Sequence, residues 1–294
     1  MSDFFSPVSL AEALALRQTH PHARMIAGGT DLLVRLRHEA PADPVPLISL
    51  ERVSELQGVQ ELGEENTRLS IGAGTTFAQM LASPLLAEHA AILLAAAHSV
   101  GGPAIRNMAT LGGNLCTASP AGDSLPTLYA LGASVEVVSQ AGCRRMAVQQ
   151  FITAPGKTLL GPHEILSRVL LPRRPPFLWQ QFEKVGRRQS LAIAVVSFAG
   201  LLRLDEELRV SEAHFAWGSV APTVLMLPAL ENLLRGQVLD KALTQQAIDL
   251  VRSAVQPIDD LRASASYRRI LAGNLLRRFL EKLPFGASAQ VLHG

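Results

Sequence analysis

Three short stretches hold the residues whose types and spacing could do chemistry: Gly28-Gly29-Thr30-Asp31, Gly72-Ala73-Gly74-Thr75-Thr76, and TLGGNLCTASPAGD at 110–123. In each, glycines lead into hydroxyl, amide or carboxylate side chains. A missing Cβ lets backbone N–H groups approach a ligand, and successive N–H groups in such a turn form an anion-binding concavity. Thr and Asn side chains then add donors. Two similar Gly-Gly-polar turns in one domain could grip a dinucleotide's pyrophosphate from both sides. Asp31 and Asp123 have two open readings. Each could accept hydrogen bonds from sugar hydroxyls, or cap the segment that follows it.

Other chemistries fail residue by residue. Gly72-Ala73-Gly74 follows a strand pattern and precedes a helix pattern, but Phe77 stands where the Rossmann fingerprint needs its third glycine. Pro155-Gly156-Lys157-Thr158 ends like a phosphate-binding P-loop, but Phe151 replaces the first glycine. Gly-x-Ser-x-Gly is absent, and the eight histidines show no ligand spacing. The two cysteines, Cys116 and Cys143, form no Cys-x-x-Cys pair, which argues against a zinc or iron–sulfur site built by this chain alone. Cys116 reads as a small buried filler rather than a reactive thiol.

The elements that must position these turns can be read from pattern. Ser9, with Glu12 three residues on, starts a helix running to about Thr19. HARMIAGG is a short strand ending at a glycine pair. DLLVRLRHEA begins a helix that Pro41, Pro44 and Pro46 end. VPLISL and TRLSIGAGTTF are strands, the second entering the Gly-x-Gly turn. The apolar segment 77–100 is helical and divided at Pro84. TLGGNLCTASPAGD is read as a loop, SLPTLYALGA as a short helix ending at Gly132, and SVEVVS as a strand.

A proline-rich stretch over 155–176 marks the expected domain boundary. Beyond it, three strands precede two helices, at roughly 240–255 and 264–283. The last helix is expected to bury a stripe of Tyr267, Ile270, Leu271, Leu275, Phe279 and Leu283 and to solvate its arginines. Strands and helices mix without a steady βαβ rhythm, so the fold class is α+β rather than a doubly wound parallel sheet.

Composition sets the outer limits. The chain has 294 residues, 48% of them hydrophobic, enough for two domains with a sizeable core. Net charge is +2 and the basic pairs are scattered, so nucleic acid is not an expected partner. The N-terminus lacks a secretory pattern, and the apolar run at 191–202 is too short to span a bilayer. Sparse cysteine suits a reducing compartment, so a cytoplasmic location is expected.

AGGTDLL at 27–33 and TLGGNLCTASPAGD at 110–123 resemble the two FAD-binding signatures of the flavin subunit of molybdenum hydroxylases. That family includes xanthine dehydrogenase, carbon monoxide dehydrogenase and aldehyde oxidoreductase. GPHEILSRVLLP at 161–172, FEKVGRRQSLAIA at 182–194, WGSVAPT at 217–223 and DDLRASASYRRILAGNLLRRFL at 259–280 extend the resemblance over nearly the whole chain. It implies a two-lobed FAD-binding domain of the vanillyl-alcohol-oxidase type over 1–175, with lobes of about 1–58 and 59–175. A small C-terminal domain, 176–294, would follow, with a three-stranded antiparallel sheet and helices.

The resemblance also implies roles. Ile26, Ala27, Gly28, Gly29, Thr30, Asp31 and Leu32 would wrap the diphosphate from one side. Thr110, Gly113, Asn114, Thr117 and Ser119 would do so from the other. Asp123 would bind ribose-side hydroxyls, Val100 and Leu166 would pack on the flavin ring, and Lys184 would lie near the isoalloxazine edge. Some relatives carry an acid where this chain has Ala192, so that acid's contacts are not carried over. FAD would be this chain's cofactor. Molybdopterin and 2Fe-2S clusters would sit on a large and a small partner subunit, with NAD+, oxygen or a quinone as final acceptor. Two rivals are a stand-alone flavin oxidoreductase of the same fold and a cofactor-free accessory scaffold. The retained glycine pairs count against the scaffold, and the C-terminal part offers a stand-alone enzyme little room for a substrate domain.

Overall fold

Ser9 begins the first helix as its sequence predicts. Its hydroxyl accepts from the Glu12 N–H at 3.2 Å, while the Glu12 carboxylate accepts from the N–H of Val8 at 2.9 Å. The structure is a computed structural model that describes residues 3–39, 45–63, 68–173, 177, 179–188 and 191–283. The expected helix-ending Pro41 and Pro44, and the boundary residues Pro175 and Pro176, lie outside the described residues.

The N-terminal segment builds a three-stranded parallel sheet in the order β1-β3-β2, from β1 (Phe4–Phe5), β2 (Arg24–Ile26) and β3 (Leu47–Ser49). Helices α1 (Leu10–Thr19) and α2 (Leu32–Glu39) connect the strands. None of α2's residues is buried, so one whole helix beside the glycine turn stays at the surface.

The central segment forms a five-stranded antiparallel sheet in the order β4-β5-β10-β6-β7. Its first strands are β4 (Val59–Leu62) and β5 (Arg68–Gly72). The helical stretch after β5 is more divided than expected: α3 (Phe77–Leu81), α4 (Pro84–His89) and α5 (Ala91–Ser99) are followed by α6 (Pro103–Met108). Next come α7 (Leu111–Thr117) and α8 (Leu125–Ala130). The sheet then continues through β6 (Ser134–Ser139) and β7 (Gly142–Ala147). A short excursion through α9 (Val148–Phe151) and the hairpin β8 (Ile152–Ala154) and β9 (Lys157–Thr158) leads to β10 (Ile165–Pro172).

The C-terminal segment is an antiparallel sheet of β11 (Trp179–Val185), β12 (Val196–Leu204) and β13 (Val210–Gly218), as expected, extended by the two-residue β14 (Leu225–Met226). Helices α10 (Pro228–Leu234), α11 (Lys241–Ala254) and α12 (Ala265–Glu281) complete it. Alternation along β12 and β13 gives this sheet two apolar faces. Phe198, Leu202, Phe215 and Trp217 pack on Leu276 and Phe279 of α12, and Trp217 Nε1 donates to the Ala272 carbonyl at 3.2 Å. Ala199, Leu201 and Ala216 belong instead to the main core, with Leu125 and Leu128 of α8.

Helix α12 rotates away from the expected stripe. Leu275, Phe279 and Leu283 are buried, but Tyr267 and Ile270 are about half exposed, at 50% and 51%. Arg268, expected to be solvated, is buried. It donates to the carbonyls of Val195 and Ser219 at 2.8 and 3.1 Å and pairs with Asp260 at 2.6 Å. Those carbonyls are presented by the ends of neighbouring strands, which spacing along one helix does not reveal.

Candidate functional site: a cleft between two glycine-built walls

Where β2 ends, the chain turns through Ala27–Thr30 into α2. Gly29 carries this turn at φ +68°, a conformation that a side chain disfavours. Opposite, Thr110 starts α7, its hydroxyl accepting from the Gly113 N–H at 3.0 Å. The first half of the stretch expected to be a loop, Leu111–Thr117, is therefore a helix. Two of the glycines in these walls also serve close packing within the protein. A Cβ at Gly112 would lie 2.6 Å from both the Cβ and the carbonyl oxygen of Ala73, and one at Gly28 would overlap the Met108 carbonyl. These glycines let the walls close onto their own backbone, which sets the width between them. Gly72 and Gly74 similarly pack on Leu56 and Gln57, and neither lines the cleft.

Between the walls lies a cleft of about 530 Å³, within the usual range for ligand sites. Ala27, Gly28, Gly29, Thr30, Asp31 and Leu32 line one side. Thr110, Gly113, Asn114, Thr117, Ser119 and Asp123 line the other, and Val100 is also in the lining. Three expected residues fall outside the lining. Ile26 is buried as the last residue of β2, and Leu166 is buried in the main core. Lys184 lies behind Asp123, in a second cleft of about 570 Å³ that shares Gly101, Leu191 and Ala192 with the first. Phe77, Ile105, Leu191, Ile193 and Arg35 also line the first cleft. Leu191 and Ile193 stood within a quoted motif, and Arg35 lies one helical turn beyond Asp31. Phe77 and Ile105 carried no local signal.

The two walls are joined by polar contacts. Thr117 donates to Asp31 Oδ2 at 3.1 Å, and Arg35 pairs with the same oxygen at 2.9 Å. Asp31 therefore ties the walls together, and Arg35 is the cation among the described lining residues. Asn114 accepts from Ser124 at 2.6 Å through its carbonyl, leaving its amide nitrogen to donate. Ser119 Oγ accepts from the Ala121 N–H at 3.3 Å, leaving its hydroxyl proton available. Cys116 lines the cleft, but burial pushes its thiol up to about 12, so it stays protonated and unreactive near neutrality.

Asp123 caps nothing. Its Oδ2 receives Lys184 Nζ at 2.6 Å, and Lys184 also donates to the Ser99 carbonyl at 3.0 Å. Its Oδ1 is buried with no hydrogen-bond partner in the protein. Burial pushes the Asp123 carboxyl up, and the charge and hydrogen bond of Lys184, with a smaller contribution from the Ser99 hydroxyl, oppose that shift. A buried acceptor without a donor is costly and calls for an explanation. The cleft thus offers backbone and amide donors, one cation, apolar side chains and an orphaned carboxylate oxygen. That set matches a flavin dinucleotide: an anionic diphosphate, a hydroxyl-bearing chain and a flat ring.

The match extends to known proteins. Residues 1–174 match the family described as the FAD binding domain in molybdopterin dehydrogenase, and residues 180–283 match the CO dehydrogenase flavoprotein C-terminal domain. The chain belongs to the flavoprotein subunits of the molybdenum hydroxylase family. It is 31% identical to a putative xanthine dehydrogenase FAD-binding subunit of Escherichia coli K12, over 99% of this chain and 100% of that one. It is 30% identical to the carbon monoxide dehydrogenase medium chain of Afipia carboxidovorans, over 95% and 96%. Quinoline 2-oxidoreductase from Pseudomonas putida 86 superposes with a TM-score of 0.88 at 29% identity, covering 96% of each chain. The chain is therefore an FAD-binding oxidoreductase subunit with the expected α+β fold. Among the described residues, no helix is long and apolar enough to cross a membrane, and no group of three His, Cys, Asp or Glu side chains could hold a metal ion.

Proposed function

We propose that this chain is the electron-transfer flavoprotein of a molybdenum hydroxylase complex. Electrons would come from the molybdenum centre of a large partner chain through iron–sulfur clusters on a small one, and leave to NAD+, oxygen or a quinone. FAD suits that position because a flavin accepts electrons singly and releases them in pairs. The observation that carries the reading is Asp123 Oδ1, buried and unpartnered on the cleft wall between two glycine-built turns.

The residues would divide the work. Ala27–Leu32 and Thr110–Ser119 hold the diphosphate, with Arg35 supplying charge. Asp123 accepts from hydroxyls of the sugar-side chain. Val100, Phe77 and Ile105 exclude water from the apolar part of the lining. No general base is required of this chain. The chain divides, in this reading, into an FAD domain over 1–175 and a C-terminal domain over 176–294. Partner docking is supported by an apolar rim beside the cleft: Leu33, Val34, Met108, Leu191 and Ile193 are each about half exposed, from 47% to 55%.

The visible spectrum of the purified chain tests this. A flavin spectrum, with co-purification of a molybdenum chain and a two-cluster chain, is the expected result. A colourless chain that FAD does not reconstitute would overturn it, as would turnover of an organic substrate by the chain alone.

A further inference from the structure

Lys184 does not line the cleft, yet the cleft's orphaned carboxylate depends on it. It projects from β11 in the C-terminal sheet, which packs against α5 of the central segment. There it meets Asp123 Oδ2 at 2.6 Å and the Ser99 carbonyl at 3.0 Å. Its side chain is 13% exposed and that of Asp123 10%, so the pair is shielded from water. The pair and the shared residues Gly101, Leu191 and Ala192 form the partition between the two clefts.

We propose that Lys184 is a positioning residue that holds the Asp123 carboxylate turned to the cofactor, making flavin retention depend on docking of the C-terminal sheet. This rests on the reading of the cleft as the FAD site. With Oδ2 occupied by the ammonium, Oδ1 is the oxygen left to accept from the ligand. Without the ammonium, burial pushes Asp123 further toward its protonated form, with Ser99 left as the group that opposes it. A protonated acid is a poorer acceptor, so flavin binding weakens on the order of tenfold. The loss reverses as pH rises through the elevated carboxyl value.

Other ionisable groups surround the pair. Glu183, the next residue on the strand, is held by Arg278 at 2.9 Å. His98, Arg106 and Arg188 line the second cleft beside Lys184, and Asp31 and Arg35 pair across the first. A pH effect is therefore assigned to Asp123 only when Asp123→Asn removes it.

The test is FAD titration of the deflavinated full-length chain from pH 5.5 to 9, followed by flavin fluorescence. Lys184→Met is expected to bind about tenfold more weakly at the acid end of the range and to recover more as pH rises than the wild type does, while Lys184→Arg stays within about threefold of the wild type. Asp123→Asn and the double variant Asp123→Asn/Lys184→Met are expected to bind alike and without that pH dependence. The double variant leaves no lone buried charge, so this comparison decides the matter even if Lys184→Met fails to fold. Equal binding by Lys184→Met and wild type would overturn the proposal, as would a tenfold gap between the double variant and Asp123→Asn. A wild-type chain that takes up no flavin would overturn the cofactor reading as well.

Discussion

Gly28 and Gly112 look in sequence like residues kept for a ligand, and the structure adds a second reason for both, a close approach within the protein. Each faces a backbone group of a neighbouring segment where a Cβ has no room. Backbone yields less readily than the end of a flexible side chain. Gly28→Ala should therefore cost about 1–3 kcal/mol of stability, measurable by denaturant unfolding, and the displaced turn should release FAD. A variant with wild-type stability and full flavin content would contradict the close-approach account. The positions were legible in the sequence; their reason was not, because approaches between segments 39 and 80 residues apart leave no local trace. Asp123 was legible in the same way. Its place at the end of the 110–123 stretch was visible, but not its partner from a distant strand.

At the level of elements, most of the secondary structure followed from pattern, and the exceptions have causes. TLGGNLCTASPAGD reads as a loop because paired glycines disfavour a helix. A Thr110 cap and packing on Ala73 outweigh that preference over Leu111–Thr117. In α12 the misread residue is Arg268, whose burial is made tolerable by two carbonyls and by Asp260. Truncating Arg268 to Ala should leave those acceptors unsatisfied and cost about 3 kcal/mol, again read by unfolding. Asp260 adds a pH dependence. Burial pushes its carboxyl up, but the N–H groups of Arg262 and Ala263 and the guanidiniums of Arg268 and Arg262 prevail, holding it well below the ordinary value of 3.8. A depressed carboxyl stabilises the fold fully above its unfolded value and loses that contribution as pH falls through the folded one. The loss of stability on acidification below about pH 4 should accordingly be shallower in Asp260→Asn than in the wild type.

For the molecule as a whole, the α+β class and the order of segments were readable, because turn signals and apolar periods alternate clearly along the chain. The surface was harder. Helix α2 follows the expectation for DLLVRLRHEA, yet none of its residues is buried, and Leu33 and Val34 are about half exposed beside the cleft. If this rim seats a partner chain, Val34→Glu should weaken co-elution with the complex by about tenfold without changing the flavin content of the isolated chain. Intact assembly would remove α2 from the interface.

The C-terminal sheet, sandwiched between α8 on one face and α12 on the other, carries a consequence for descent. Both faces of β12 are committed, one to each half of the chain. A swap of the last third between relatives would have to match Ala199, Leu201 and Ala216 to a foreign α8 while keeping Lys184 in line with Asp123. Lineages of this subunit are therefore expected to inherit the two halves together, and chimaeras joined near residue 175 to fold only when α8 and β12 come from the same parent.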